Sequence, residues 1–163
     1  MVVRMKLRSA LVLLALIAIS FAVAGLGSLS TIQNVDGWYA SAEKAAWNPP
    51  NWIFGPVWTL LYLSMSVAAW LVWRETKKIP PVYIVQLALN ALWTPVFFGA
   101  YPLIGSPALW IALVIIFAID VTVLLTMLRF WKASKLAAWL LVPYWTWVLF
   151  ATTLNAALAI LNT

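Results

Sequence analysis

The chain has 163 residues, of which 66% are hydrophobic and 9% are charged, with a net charge of +6. Soluble domains carry about 25% charged residues, so this chain has too few polar side chains to cover a water-facing surface. The same composition excludes intrinsic disorder. The absence of Cys and His removes thiol chemistry, the commonest metal ligand and the commonest general base. We therefore expect a membrane protein without a metal site or a cofactor.

Five apolar stretches follow one another along the chain, separated by segments with proline, glycine or basic residues. Each is about long enough to cross the hydrocarbon core as a helix, and none alternates as a membrane β-strand does. The stretches cover residues 9–29, 54–73, 82–99, 108–128 and 136–161. The sequence predicts an all-α integral membrane protein in which residues 1–163 form a single five-transmembrane-helix bundle.

The Lys and Arg residues lie almost entirely on one predicted side of the membrane. The N-terminus and the second and fourth loops carry Arg4, Lys6, Arg8, Arg74, Lys77, Lys78, Arg129, Lys132 and Lys135. The long first loop has only Lys44. The positive-inside rule then predicts a cytoplasmic N-terminus and a C-terminus on the opposite side, in a bacterial inner membrane. Because the rule explains these charges, no nucleic-acid partner is expected.

The N-terminal segment also fits a cleavable signal peptide, because basic residues precede an apolar run that contains Ala22, Val23 and Ala24. We favour a retained helix, since the apolar run continues to Leu29. Either alternative leaves the orientation of the other four helices unchanged.

Tryptophan is unusually abundant, with 12 residues. Many fit the aromatic belt at the membrane surface, but Trp93 and Trp147 fall deeper in their predicted helices. Helical spacing groups aromatic and amide residues on single faces of the second, third and fifth helices. The face of the second helix carries Trp58, Tyr62 and Met65. That of the third helix carries Gln86, Asn90, Trp93 and Phe97. That of the fifth helix carries Tyr144, Trp147, Ala151 and Leu154, with Asn155 beside them.

Amide side chains are costly in hydrocarbon unless they face a partner or a cavity. We therefore expect Gln86, Asn90 and Asn155 to point inward. Two interpretations remain open: contacts between helices, or the lining of a flat, mostly apolar ligand cavity.

Proline and one acid mark further features of the predicted spans. Pro95 and Pro143 lie inside helices and favour kinks. Pro49–Pro50 requires extended backbone, and we expect this stiff, Trp-bearing loop to cover the cavity.

Asp120 is the one acid within a predicted span. An acid inside the membrane suggests a functional role, and a structural role is the alternative.

Several motifs together resemble one known family. They are W-Y at 38–39, W-N-P-P at 47–50, G-P-V-W-T-L-L-Y at 55–62, Q-L-A-L-N-A-L-W-T-P-V-F-F-G at 86–99, V-P-Y-W-T-W at 142–147 and F-A-T-T-L-N at 150–155. The pattern resembles the TspO/MBR family, also called translocator proteins, tryptophan-rich sensory proteins or peripheral-type benzodiazepine receptors.

The resemblance implies a five-helix bundle, commonly a homodimer, with a ligand pocket open towards the first loop. It also implies binding of protoporphyrin, haem and related tetrapyrroles, and of benzodiazepine- or isoquinoline-type ligands. The ligand-contacting positions that carry over are Trp38, Trp47, Trp58, Tyr62, Asn90, Trp93, Trp110, Tyr144, Trp147 and Ala151. Some bacterial members are reported to promote light-dependent breakdown of protoporphyrin, and Trp58 and Trp147 match the tryptophans involved.

The chain departs from the family pattern in three places. Ala45 follows Lys44 where the family usually has Lys-Pro. Pro81 and Val85 replace small residues early in the third helix, at the dimer contact. The residues 156–163 replace the aromatic and Arg residues of sterol-binding members, so tight sterol binding is not expected. Val35, Tyr39 and Lys44 formally match a short sterol pattern, but that pattern is weak and falls in a loop.

Three functions are compatible with these observations. The favoured one is a ligand-binding protein that senses, transports or regulates porphyrin. The alternatives are an enzyme that degrades protoporphyrin with light and oxygen, and a structural membrane protein without a pocket.

Overall fold

The computed structural model describes the backbone of residues 2–163 and the side chains from Lys6 onwards. Five long helices form the molecule, and this part of the chain contains no β-strand. They are α1 (Val2–Asn34), α3 (Phe54–Thr76), α4 (Pro81–Thr94), α6 (Pro107–Ala133) and α7 (Lys135–Leu161). All five are long and apolar enough to span a membrane, α4 together with the π-helical segment Pro95–Gly99. The predicted all-α, five-helix membrane fold is confirmed.

The connections contain three short elements: α2 (Trp38–Ser41), a 3₁₀ turn (Asn51–Ile53) and α5 (Tyr101–Ile104). Helices α1, α3 and α6 extend beyond the predicted apolar stretches, whereas α4 ends at Thr94, within the stretch predicted as 82–99. For example, α1 has 33 residues, whereas residues 9–29 were predicted, because polar and basic residues continue a helix beyond the hydrocarbon core. The side chain of Arg4, one of the predicted cytoplasmic cations, lies outside the described residues.

The five long helices form a closed ring in which each packs mainly on two neighbours, in the order α1, α3, α7, α6, α4. Side chains such as Met65, Ile116, Leu141 and Tyr144 fill the centre and are almost fully buried. We call the end with residues 35–53 and the C-terminus the loop end. The opposite, basic end carries the described cations Lys6, Arg8, Arg74, Lys77, Lys78, Arg129, Lys132 and Lys135.

Proline shapes the helices at the expected positions. Pro81 occupies the first turn of α4, where its missing N–H removes no helical hydrogen bond. At Pro95 the α-helix gives way to a π-helical turn, whereas α7 continues through Pro143. Pro50 has φ −56° and ψ 140°, which confirms the extended backbone predicted for Pro49–Pro50.

Helices α1 and α3 are joined at their basic halves. The Ser66 hydroxyl lies 2.9 Å from the Ser20 hydroxyl, and the Trp70 indole N–H donates to the Ser9 carbonyl at 2.9 Å. Towards the loop end α1 instead approaches α4, where a Cβ on Gly27 would lie 3.1 Å from Thr94 Oγ1. The absent side chain of Gly27 thus permits this close approach of α1 and α4.

The predicted inward orientation of Gln86, Asn90 and Asn155 is confirmed, since each is at most 3% exposed. The Gln86 amide donates to the Met65 sulfur at 3.4 Å, and the Asn90 amide donates to the Tyr144 hydroxyl. For Gln86 and Asn90 the structure therefore supports the first interpretation, contacts between helices.

Asp120 lies between α6 and α7. Its Oδ2 accepts a hydrogen bond from the Thr152 hydroxyl at 2.7 Å, while its buried Oδ1 has no hydrogen-bond partner among the described residues. The carboxyl group thus links two neighbouring helices, as the structural alternative expects. A functional role for Asp120 stays a prediction.

Candidate ligand-binding site

A cavity of about 370 Å³ lies at the loop end, between α1, α3, α4 and α7. Its volume falls within the range of about 300–1,000 Å³ that is typical of small-molecule sites. The aromatic part of its wall consists of Tyr39, Phe54, Trp58, Tyr62, Trp93, Phe97 and Phe98. None of the described residues that line it is charged. The cavity therefore suits an uncharged, flat and largely apolar molecule.

Trp93 is held in the wall by two kinds of contact. Its indole N–H donates to Asn155 Oδ1 at 3.1 Å, and its ring stacks on Phe97 with centroids 5.0 Å apart. The Asn155 amide in turn donates to the Leu109 carbonyl at 3.0 Å. This chain of hydrogen bonds joins α4, α7 and α6, and it fixes the plane of the indole.

Trp58 and Tyr62 line the cavity on α3, with ring centroids 5.7 Å apart. The rings of Tyr144 and Trp58 pack edge to face with centroids 6.4 Å apart. The Tyr144 hydroxyl already accepts a hydrogen bond from the Asn90 amide. Because these buried polar groups satisfy one another, they leave the wall apolar. The Tyr62 hydroxyl has no hydrogen-bond partner among the described residues.

Residues 35–53 cover the cavity, and Val35, Tyr39 and Asn51 are the parts of this lid that line it. The Tyr39 hydroxyl donates to Asn48 Oδ1 at 3.4 Å, and the Lys44 ammonium lies 4.8 Å from the centre of its ring. Burial raises the pKa of Tyr39, and the hydrogen bond with Asn48 offsets this only in part. The phenol is therefore neutral at physiological pH, which keeps charge out of the cavity.

The lid is fastened at two places. Asn162, at the end of α7, accepts from the Glu43 N–H at 3.0 Å and donates to the Glu43 carbonyl at 2.9 Å. At the other place the Trp38 indole N–H donates to the Phe98 carbonyl at 2.9 Å, and its ring stacks on Tyr101. These contacts hold the lid against α7 and the end of the third span.

Comparison with known proteins agrees with this architecture. The model of the TspO/MBR family matches residues 14–161. The chain belongs to the TspO/MBR family. The tryptophan-rich protein TspO of Archaeoglobus fulgidus is 42% identical to it over 155 residues, which cover 92% of this chain and 94% of that protein.

Two further relatives come from distant organisms. The translocator protein of Homo sapiens is 42% identical over 125 residues, covering 72% of this chain and 70% of that protein. The tryptophan-rich sensory protein of Cereibacter sphaeroides is 39% identical over 122 residues, covering 74% of this chain and 73% of that protein. The similarity thus spans most of the five-helix bundle and includes the elements that line the cavity.

The residues that the resemblance assigns to ligand contact occupy three kinds of position. Trp58, Tyr62, Trp93 and Ala151 line the cavity. Asn90 and Tyr144 lie behind the wall and bond to each other. Trp38 and Trp47 belong to the lid, and Trp47 donates weakly to the Thr153 hydroxyl at 3.4 Å while remaining 57% exposed.

Trp147 and Trp110 do not line the cavity. Trp147 packs against Phe54, a wall residue, with ring centroids 5.8 Å apart, and its buried indole N–H has no partner among the described residues. Trp110 is exposed on α6, and its indole N–H donates to the Thr163 hydroxyl at 3.1 Å. Phe54 therefore contacts both the cavity and Trp147.

Helix α1 contributes a wall that the sequence analysis did not predict. Its lining residues include Ala24, Gly27, Ser28 and Thr31. Their spacing of i, i+3, i+4 and i+7 places small side chains on one helical face, a pattern typical of close approach between membrane helices. That pattern was a usable signal, but the uniformly apolar composition of the helix obscured it.

The geometry of Asn155 leads to a testable prediction. We expect Asn155→Leu to destabilise the protein by about 1–2 kcal/mol, because two interhelical hydrogen bonds are lost at about 0.6 kcal/mol each and two partners remain unsatisfied. The measurements are thermal unfolding and the NMR shift of the Trp93 indole N–H. The control is Thr146→Val, since the exposed Thr146 hydroxyl bonds only to its own helix. An unchanged Trp93 signal in Asn155→Leu would contradict the proposed contact.

Proposed function

We propose that the protein binds protoporphyrin IX and haem, together with benzodiazepine- or isoquinoline-type ligands. It acts, as a homodimer, in the sensing, transport or regulation of porphyrin. The observation that carries the proposal is the uncharged aromatic cavity with the indoles of Trp58 and Trp93 in its wall. Membership of the family supports it, and its relatives include a tryptophan-rich sensory protein and a translocator protein.

The physical basis is the match between aromatic walls and a flat macrocycle. Indole and phenyl rings pack favourably on other π-systems in offset or edge-on arrangements. Iron coordination is not required, because the chain has no His or Cys, the commonest strong haem ligands. Within the described residues, no three His, Cys, Asp or Glu side chains cluster as a metal site would need.

Binding is tested by quenching of tryptophan fluorescence during titration with protoporphyrin in the dark. We expect saturable quenching with similar affinity for the iron-free and iron-loaded macrocycle. Trp93→Ala is expected to weaken binding at least about fivefold, since stacking contacts are worth about 1 kcal/mol or more. The control is Trp139→Ala, at an exposed position towards the basic end. A strict requirement for iron would refute ring-based recognition.

The second candidate function is light- and oxygen-dependent degradation of protoporphyrin. The presence of Trp58 in the cavity wall favours it, because an indole in contact with a photoexcited porphyrin is a suitable electron donor. Trp147 lies one aromatic ring further away, behind Phe54. The function would therefore depend on Trp58 directly and on Trp147 through the packed rings.

For this candidate, we expect Trp147→Phe and Trp58→Phe to retain porphyrin binding and to lose most light-dependent bleaching, because phenylalanine keeps the packing but is harder to oxidise. The measurement is porphyrin absorbance under illumination in the presence of oxygen. Trp110→Phe serves as the control, since Trp110 lies away from the cavity. Equal bleaching rates in all four proteins would exclude a role for these tryptophans.

We propose that the basic end faces the cytoplasm of a bacterial inner membrane, following the positive-inside rule. Because the chain has no Cys, single introduced cysteines report topology without background. We expect an impermeant maleimide to label Ser41→Cys in spheroplasts and to label Thr76→Cys only after permeabilisation. Both positions are exposed in the structure. The reverse labelling pattern would invert the proposed orientation.

A further inference from the structure

The residues that line the cavity on α1 and α3 indicate a slot between these two helices. Two residues of α1, Ser28 and Ile32, line the cavity and are also exposed on the outer surface. On the opposite side Asn51, Gly55 and Thr59 do the same. Both sets follow the i, i+4 spacing of one helical face. The two faces form the lips of the slot.

The slot is open because Ser28, Gly55 and Thr59 on its lips are small and the lips do not bond to each other. The hydroxyls of Ser28 and Thr59 each donate to a carbonyl of their own helix at 2.9 Å. A Cβ added to Gly55 would meet no atom within 4 Å. Near the middle of the two helices, in contrast, the contact between Ser20 and Ser66 closes the same seam, as does the contact between Trp70 and Ser9 nearer the basic end. The slot therefore occupies only the loop half of the bundle.

The slot reaches into the hydrocarbon region. Thr59 lies five residues after Phe54, which corresponds to about 7 Å along the axis of α3. The outward-facing neighbours of the lips include Leu29 and Leu60, which are 62% and 66% exposed and suited to contact with lipid chains. A molecule that passes between the lips would thus meet acyl chains rather than water.

The enclosed volume is too small for a complete tetrapyrrole. A protein cavity of about 150 Å³ holds a benzene molecule, and the same space per atom allows about 15 non-hydrogen atoms in 370 Å³. That is less than half of a protoporphyrin. The propionates are further excluded from the interior because the lining offers no cation, and a buried unpaired carboxylate is strongly disfavoured.

We propose that a tetrapyrrole binds edge-in, with its vinyl-bearing edge in the cavity beside Trp58 and Trp93. The rest of the macrocycle passes through the slot between α1 and α3 into the bilayer, and the propionates lie at the membrane surface of the loop end. This binding mode rests on the proposed porphyrin-binding function. A small bicyclic ligand would instead fit wholly inside the cavity and would not need the slot.

The first test fills the slot. Gly55→Phe places a ring between the lips, and Gly25→Phe is the matched control, because Gly25 lies on α1 outside the lining and its added Cβ also meets no atom within 4 Å. We expect Gly55→Phe to weaken protoporphyrin binding at least about tenfold and isoquinoline binding less than about threefold, with Gly25→Phe unchanged. Unchanged protoporphyrin affinity, or an equal loss for both ligands, would overturn the proposal.

The second test asks where the bound macrocycle lies. The protein, in excess over iron-free protoporphyrin, is placed in nanodiscs whose phospholipids carry bromine on the acyl chains, with empty nanodiscs as the reference. We expect brominated chains to quench the emission of the saturably bound porphyrin, and aqueous iodide to leave it nearly unchanged. Saturable binding without quenching by bromine would overturn the edge-in mode alone. Absence of saturable binding would overturn the proposed function as well.

Discussion

The structure depends on the rule that a polar group in hydrocarbon must find its partner inside the protein. Asn90 and Tyr144 satisfy each other, and Asn155 joins the Trp93 indole to the Leu109 carbonyl. These contacts hold three of the helices, α4, α6 and α7, together and engage the Asn90 and Asn155 side chains. What remains exposed to the cavity is ring surface, so the same pairing that stabilises the bundle also gives the site its apolar character.

The position of the cavity follows from how the ring of helices closes. Ser20 and Ser66 hold α1 and α3 together near their middle, and Trp70 and Ser9 do so nearer the basic end, whereas towards the loop end Gly27 lets α1 pack on α4. Because α1 cannot pack tightly against both neighbours in the loop half, space remains there between α1 and α3. Residues 35–53 then cover this space, and the end of α7 fastens them through Asn162.

The chemistry of the site agrees with the composition of the chain. A chain without Cys or His has few means of acid–base, nucleophilic or iron-ligand chemistry, and the cavity wall contains none of the charged residues that the chain does have. Recognition must then come from ring contacts, shape and a small number of neutral polar groups such as the Tyr62 hydroxyl. This agrees with the proposed binding of flat hydrophobic molecules.

The sequence alone determined the five crossings, the all-α class, the inward amides and the family, because hydrophobic length, helical period and motif are local properties of the chain. The tertiary structure decided which aromatic residues meet. Trp58 and Trp93 reached the cavity, whereas Trp147 came to lie behind Phe54 and Trp110 on the outer surface. It also placed α1 in the wall. Helical spacing defines a face but not the neighbour that the face meets, and that neighbour depends on how small residues such as Gly27 let whole helices approach one another.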